Sequence, residues 1–238
     1  MKVVAITGPC QCEVVDRPEP VIGGEFVKVK VEVAPMCTEF KVYKEGQRTE
    51  VIGHEAAGEV VEVGGPGRIR VGDRVVLMPL YPCGRCKLCQ NGDYIYCEHK
   101  IDPQKVCGSP TGAATYAQYA LKQDWLLLPI PDDMSYDRAS MTLCGLGPTF
   151  GAMQNMRVDA FDTVLIAGLG PVGLGGVING VYRGARVVGL ETNPYRARLA
   201  LELGAAAVVN PEDPDALQQV RGLTGGCGVD KAIACTAV

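Results

Sequence analysis

Cys83, Cys86, Cys89 and Cys97 stand with two residues between each of the first three and seven before the fourth. They occupy a segment, 82–98, that contains Gly84 and Gly92 and few apolar side chains. Such a segment has little hydrophobic surface with which to pack, so a bound ion is the natural organiser. Four thiolates about 2.3 Å from one zinc ion make a closed tetrahedron with no position left for water, the arrangement of a structural site. Iron is the other metal taken by four thiolates, but the Cys-Pro that closes the usual cluster run is absent, which leaves zinc as the expected ion.

A second segment with chemical potential is Gly168-Leu169-Gly170-Pro171-Val172-Gly173, which follows the apolar run 164–167 and opens a small-residue stretch of helical pattern. There the first glycine permits a tight turn, the second lets the backbone approach a pyrophosphate, and the third allows the helix to pack closely on the strand. The helix N-terminus, with Pro171 and Val172 in its first turn, then faces the phosphates. Glu191 ends the next apolar run, where an acid hydrogen-bonds the adenosine ribose hydroxyls and repels a 2′-phosphate; NAD is expected over NADP. Arg196 and Arg198 on the following helix could attract such a phosphate, yet solvated helix charges are the simpler reading. Arg196 stays among the candidate cofactor contacts.

The elements that must hold these groups fall into two regions. Up to about residue 122, short β-branched runs at 27–33, 58–63 and 74–77 alternate with Gly, Pro and Asp turns, which predicts an irregular all-β domain. The pattern then changes. A helix starts near Ser135 or Asp137, and strands at 164–167, 186–190, 207–209 and 231–235 alternate with helical stretches that include 196–203 and 216–223. That alternation predicts a parallel sheet covered by helices on both faces, so the fold class is α/β with an all-β part.

Composition narrows the function classes. The chain has 238 residues, 47% hydrophobic and 21% charged, a formal net charge of −4 and no basic stripe, which argues against nucleic acid as a partner. No apolar run approaches the roughly 18 residues that span a bilayer, and the opening 1–6 reads as a strand rather than a signal peptide. Eleven cysteines without an export signal point to metal ligation in a reducing, cytoplasmic setting rather than to disulfides.

Gly53-His54-Glu55, continued by 56–64 and by Gly72-Asp73-Arg74-Val75, resembles the zinc-containing alcohol dehydrogenases of the medium-chain dehydrogenase/reductase family, and the resemblance covers the whole chain. It implies a GroES-like catalytic β domain over 1–148 and an NAD-binding Rossmann domain of about four strands over 149–238. It also implies that Cys37, His54 and Cys144 bind a catalytic zinc, with Glu55 as a transient ligand and one position open to an alcohol. Two zinc ions per chain, NAD, a small-molecule alcohol substrate, and a homo-dimer or homo-tetramer at full length follow from the same likeness. The remaining His99, Cys10, Cys12, Cys107, Cys227 and Cys235 read as residues without a metal role.

Three positions depart from the family pattern. Cys37 is followed by Thr38, Glu39 and Phe40, where the family has a small residue, a proton-relaying hydroxyl, and an Asp that orients the zinc-binding imidazole. Either Glu39 is itself the base or, with a shift of one residue, Thr38 relays the proton; Phe40 cannot orient His54, so another group must. Val42 replaces a relay histidine found in some members. The last residues, 235–238, fall where the fourth strand of a 3-2-1-4-5-6 sheet would end, so the chain reads as a fragment of a longer protein with an apolar edge at 232–235. Such a fragment would hold zinc and the adenine half of NAD and turn over poorly. A non-catalytic zinc- and nucleotide-binding module is therefore the alternative function; a zinc-free quinone reductase is disfavoured by the cysteine cluster.

Overall fold

A computed structural model describes residues 1–109 and 111–236, the side chain of Cys107 excepted. The chain divides into two compact units, with the boundary between Met141 and Thr142, seven residues ahead of the boundary expected from sequence.

The first unit is predominantly antiparallel. β1 (Lys2–Gly8) and β2 (Gln11–Asp16) form a hairpin. A five-stranded sheet has the order β6-β3-β4-β5-β7, from β3 (Phe26–Val33), β4 (Ala56–Val63), β5 (Arg74–Leu77), β6 (Tyr119–Gln123) and β7 (Leu127–Pro129). Alternation along these strands turns Val27, Val29, Val60, Val75, Leu77 and Leu127 into one core cluster. Each is 3% exposed or less, and each such burial contributes roughly 1.5–3 kcal/mol. That core is what holds the loops carrying the chemistry. Short helices punctuate the unit: α1 (Glu39–Glu45), α2 (Lys87–Gln90), α3 (Pro103–Cys107) and α4 (Tyr136–Ser140). Gly46 ends α1 in the left-handed region, and the Ser135 hydroxyl caps α4.

The second unit opens with a π-helical turn at Thr142–Leu146 and α5 (Gly147–Asn155). Then come β8 (Thr163–Ala167), α6 (Pro171–Tyr182), β9 (Arg186–Leu190), α7 (Pro194–Glu202), β10 (Ala207–Val209), α8 (Ala216–Leu223) and β11 (Lys231–Ala234). The sheet is parallel with order β10-β9-β8-β11, the sense of a Rossmann sheet. Met153, Val164, Ile166, Val177, Val187 and Ala200 form its core. α7 begins two residues before the sequence expectation because Asn193 accepts the N–H groups of Tyr195 and Arg196, and Pro194 takes the first helical position. Among the described residues no helix is long and apolar enough to cross a membrane.

Candidate metal and cofactor sites

The four cysteine sulfurs of the 82–98 loop converge. Cys86 Sγ lies 3.5 Å from Cys89 Sγ and 3.9 Å from Cys97 Sγ, and Cys83 Sγ lies 3.6 Å from Cys97 Sγ and 4.0 Å from Cys89 Sγ. A tetrahedron with arms of about 2.3 Å has edges of about 3.8 Å, so the donor set fits one four-coordinate ion and leaves no room for a cluster of several irons. Backbone N–H donors, that of Arg85 foremost, hold the Cys83 thiol down at about 6, and burial pushes Cys89 up to about 12. Cys83 thus offers a thiolate readily, while Cys89 needs a cation to lose its proton.

The loop is tied to the sheet by β6. Tyr81 donates its hydroxyl to Leu121 O at 2.8 Å, Lys122 Nζ donates to Leu80 O at 3.0 Å, and Gln123 Nε2 donates to Pro82 O at 2.6 Å. The Lys122 ammonium also sits 3.6 Å from the centre of the Tyr81 ring. Neither buried side chain was legible as a support, since a Lys and a Gln in a strand read as solvent-facing.

Cys37, His54 and Glu55 meet at a second place in the first unit. Cys37 lies in the linker between β3 and α1, and His54 and Glu55 immediately precede β4; their ligand atoms lie within 4.8 Å of one another. His54 Nδ1 is 2.5 Å from Glu39 Oε1, and His54 Nε2 is 4.0 Å from Glu55 Oε1. Glu39 Oε2 accepts the N–H of Cys37 at 2.9 Å. Both oxygens of Glu39 are therefore engaged, one on each of two neighbouring ligand candidates. Burial pushes the Glu39 carboxyl up, but the bonds from His54 and from the backbone N–H groups of Glu39 and Cys37 outweigh it and hold it below its ordinary value. The same bond to Glu39 raises His54. Glu39 stands where an imidazole-orienting acid is needed, and Thr38 at the N-terminus of α1 is exposed. Phe40 points to solvent at 51% exposure, in keeping with its having no part in orienting His54.

Tyr116 is a neighbour of this group that sequence reading missed. Burial, and then the negative charges of Glu39, Glu55 and Cys37, push its phenol upward, so it remains a donor. No local signal in 112–119 marks it.

Cys144 lies in the second unit, half-buried in the π-helical turn. π-Helical turns recur at functional positions, and this one is anchored to α6 by Asn179 Nδ2, which donates to Leu146 O at 2.9 Å. His99, Cys10, Cys12 and Cys227 are exposed, and Cys235 packs against the second core.

The glycine turn follows β8 and starts α6, with Gly170 at the N-cap and Pro171 in the first turn. Gly168 has φ +84°, and a Cβ at Gly173 would fall 1.9 Å from Gly168 O, so neither position accepts a side chain. Glu191, 9% exposed, follows β9. Its Oε2 accepts Leu169 N–H at 2.8 Å, and its Oε1 accepts Thr192 N–H at 3.0 Å and Asn193 N–H at 2.9 Å. Arg196 Nη1 is 4.0 Å from Glu191 Oε2. The acid expected to meet a ribose also links the two turns that would cradle it.

Two family models match the chain: an alcohol dehydrogenase GroES-like domain over residues 23–132 and a zinc-binding dehydrogenase over residues 171–238. Sorbitol dehydrogenase of Bacillus subtilis (strain 168) is 30% identical over 242 residues, covering 98% of this chain and 67% of its own. L-threonine 3-dehydrogenase of Symbiobacterium thermophilum is 34% identical over 223 residues, covering 90% of this chain and 62% of its own. Among solved structures, an NAD-dependent alcohol dehydrogenase matches with TM-score 0.86 at 28% identity, over 98% of this chain and 70% of its own. The chain spans about two thirds of the length of the curated relatives it matches.

Proposed function

The chain belongs to the zinc-containing alcohol dehydrogenases of the medium-chain dehydrogenase/reductase family, and we propose that it transfers a hydride between a small alcohol or polyol and the nicotinamide of NAD. The observation that carries this reading is His54, held at Nδ1 by Glu39 while its ring stands beside the Cys37 thiol and the Glu55 carboxylate. A histidine oriented through one nitrogen by a buried acid is the usual state of a metal ligand.

In this reading Cys37, His54 and Cys144 hold one zinc and the four-cysteine loop a second. Zinc, when bound, supplies a Lewis acid against which an alcohol oxygen loses its proton. Two thiolates balance the charge of the ion, so three protein ligands keep the centre neutral and one position open. Glu39 positions the imidazole, and its carboxylate is occupied in doing so. The proton then falls to the Thr38 hydroxyl, one residue after Cys37 and exposed at the start of α1. Gly168, Gly170 and Gly173 bring backbone N–H groups and the α6 N-terminus to the pyrophosphate, and Glu191 selects the unphosphorylated ribose. A cytoplasmic location belongs to the same proposal, because thiolate ligands persist where thiols stay reduced. The test is NADH formation across a panel of alcohols and polyols. Cys37→Ser and His54→Ala should abolish it while the circular dichroism spectrum stays unchanged; turnover that survives both substitutions would refute the proposal.

A further inference from the structure

Two loop segments carry Cys37 and His54, and neither is paired in a sheet: 34–38 leaves β3, and 51–55 leads into β4. Tyr116 touches both. The Tyr116 hydroxyl donates to Pro35 O at 3.0 Å, two residues before Cys37. The backbone N–H groups of Thr115 and Tyr116 each donate to Ile52 O at 3.1 Å, two residues before His54. Between them Gly53 has φ +87°, and a Cβ there would lie 2.2 Å from Thr115 Oγ1 and 2.9 Å from Tyr116 Cδ1. The ring is thus seated directly against the residue preceding His54, and its far end grips the linker preceding Cys37. Glu39 joins the same segments from the other side, its Oε2 taking the Cys37 N–H and its Oε1 the His54 ring, so Tyr116 is the brace that acts through the backbone of both.

We propose that Tyr116 is a positioning residue that, together with Glu39, sets the separation of the Cys37 and His54 segments and thereby the affinity of their site for its ion. The inference rests on the reading of Cys37 and His54 as metal ligands. Tyr116→Phe keeps the ring against Gly53 and removes only the grip on Pro35. The bond removed is one neutral hydrogen bond to the linker, whose loss corresponds to about a 2- to 10-fold weakening of what it holds.

The experiment loads the wild-type chain and Tyr116→Phe with zinc and follows release to a chromophoric chelator, with cobalt(II) substitution as a second readout. In wild type two release phases are expected. In Tyr116→Phe the phase lost on Cys37→Ser should weaken by about 2- to 10-fold and the cobalt visible band should shift, while the phase lost on Cys86→Ser stays as in wild type. Unchanged release and an unchanged cobalt spectrum would overturn the inference alone, as would equal acceleration of both phases, which marks general loosening. A wild-type chain that binds metal only at the four cysteines would overturn the underlying reading and this inference with it.

Discussion

Glu39→Gln separates two roles that one carboxylate could fill. Its side chain is 7% exposed, with Oε1 2.5 Å from His54 Nδ1 and Oε2 accepting Cys37 N–H at 2.9 Å. Hydrogen bonds to a charged partner contribute about 1.5–3 kcal/mol each to a folded arrangement. The amide keeps one carbonyl for the imidazole but turns an NH2 toward the Cys37 N–H, donor against donor, so about one such bond is lost. At about 1.4 kcal/mol per decade that is roughly a 10- to 100-fold loss, the range seen when outer partners of metal-bound histidines are replaced. The expectation is therefore weaker zinc at the Cys37 and His54 site by that factor, with kcat per loaded site within a few-fold of wild type. Zinc occupancy by chelator competition and kcat normalised to bound zinc measure the two quantities separately. If Glu39 were the base, the amide would keep its zinc and lose about 10²- to 10⁴-fold in kcat, the usual scale of general base catalysis. That outcome refutes the reasoning from geometry.

Cys86→Ser should remove one zinc equivalent and lower the melting temperature by several degrees, with turnover per remaining zinc retained at low temperature; elemental analysis and calorimetry check both. Glu191→Ala removes the acceptor of three N–H groups, each costing about 1–3 kcal/mol if left buried and unpaired. It should lower thermal stability and narrow the preference for NAD over NADP in kcat/KM, and equal kcat/KM for the two cofactors in wild type would contradict the assignment of Glu191. Asp162 is held below its ordinary value of 3.8, first by the hydrogen bond from Lys231, which reaches it at 2.5 Å. Its contribution is fully present above pH 3.8 and is lost as pH falls through the lowered folded value, because the unfolded chain then binds the proton first. Acid unfolding followed from pH 5 to 2 should show a shallower dependence in Asp162→Asn.

Much of this was legible before any coordinates. The four-cysteine spacing needed no partner elsewhere in the chain, and the glycine turn announced itself by standing between a β-branched run and a small-residue helix. The strand at Arg186–Leu190 matches its expected limits, and Gly204, with φ +102°, follows the end of the helical stretch expected over 196–203. What escaped were relations between distant segments. The sequence leaves two readings open after Cys37, Glu39 as the base or Thr38 as the relay with a shift of one residue, and the bond between His54 and the Glu39 carboxylate is legible in neither. Tyr116 has no local pattern, and its importance lies wholly in two loops far from it in sequence. Lys122 and Gln123 break the rule that long polar strand residues face water, because each finds a carbonyl inside. The Asn193 and Pro194 cap stands in the sequence, and it outranks apolar periodicity in setting where α7 begins.

The three bonds that tie the cysteine loop to β6 have a consequence for evolvability. Two of them, from Lys122 and Gln123, reach the backbone carbonyls of Leu80 and Pro82, a feature every residue type offers, and so read the path of the chain; the third depends on the Tyr81 side chain at the edge of the loop. The loop's own side-chain requirements include the four sulfurs, Gly84, which has φ +72° beneath Trp125, and Tyr94, whose ring stands edge-on to Trp125 at 6.0 Å. Exchange of 85–96 with the corresponding stretch of another tetrathiolate protein should therefore be accepted where the stretch keeps its cysteines and an aromatic ring at position 94.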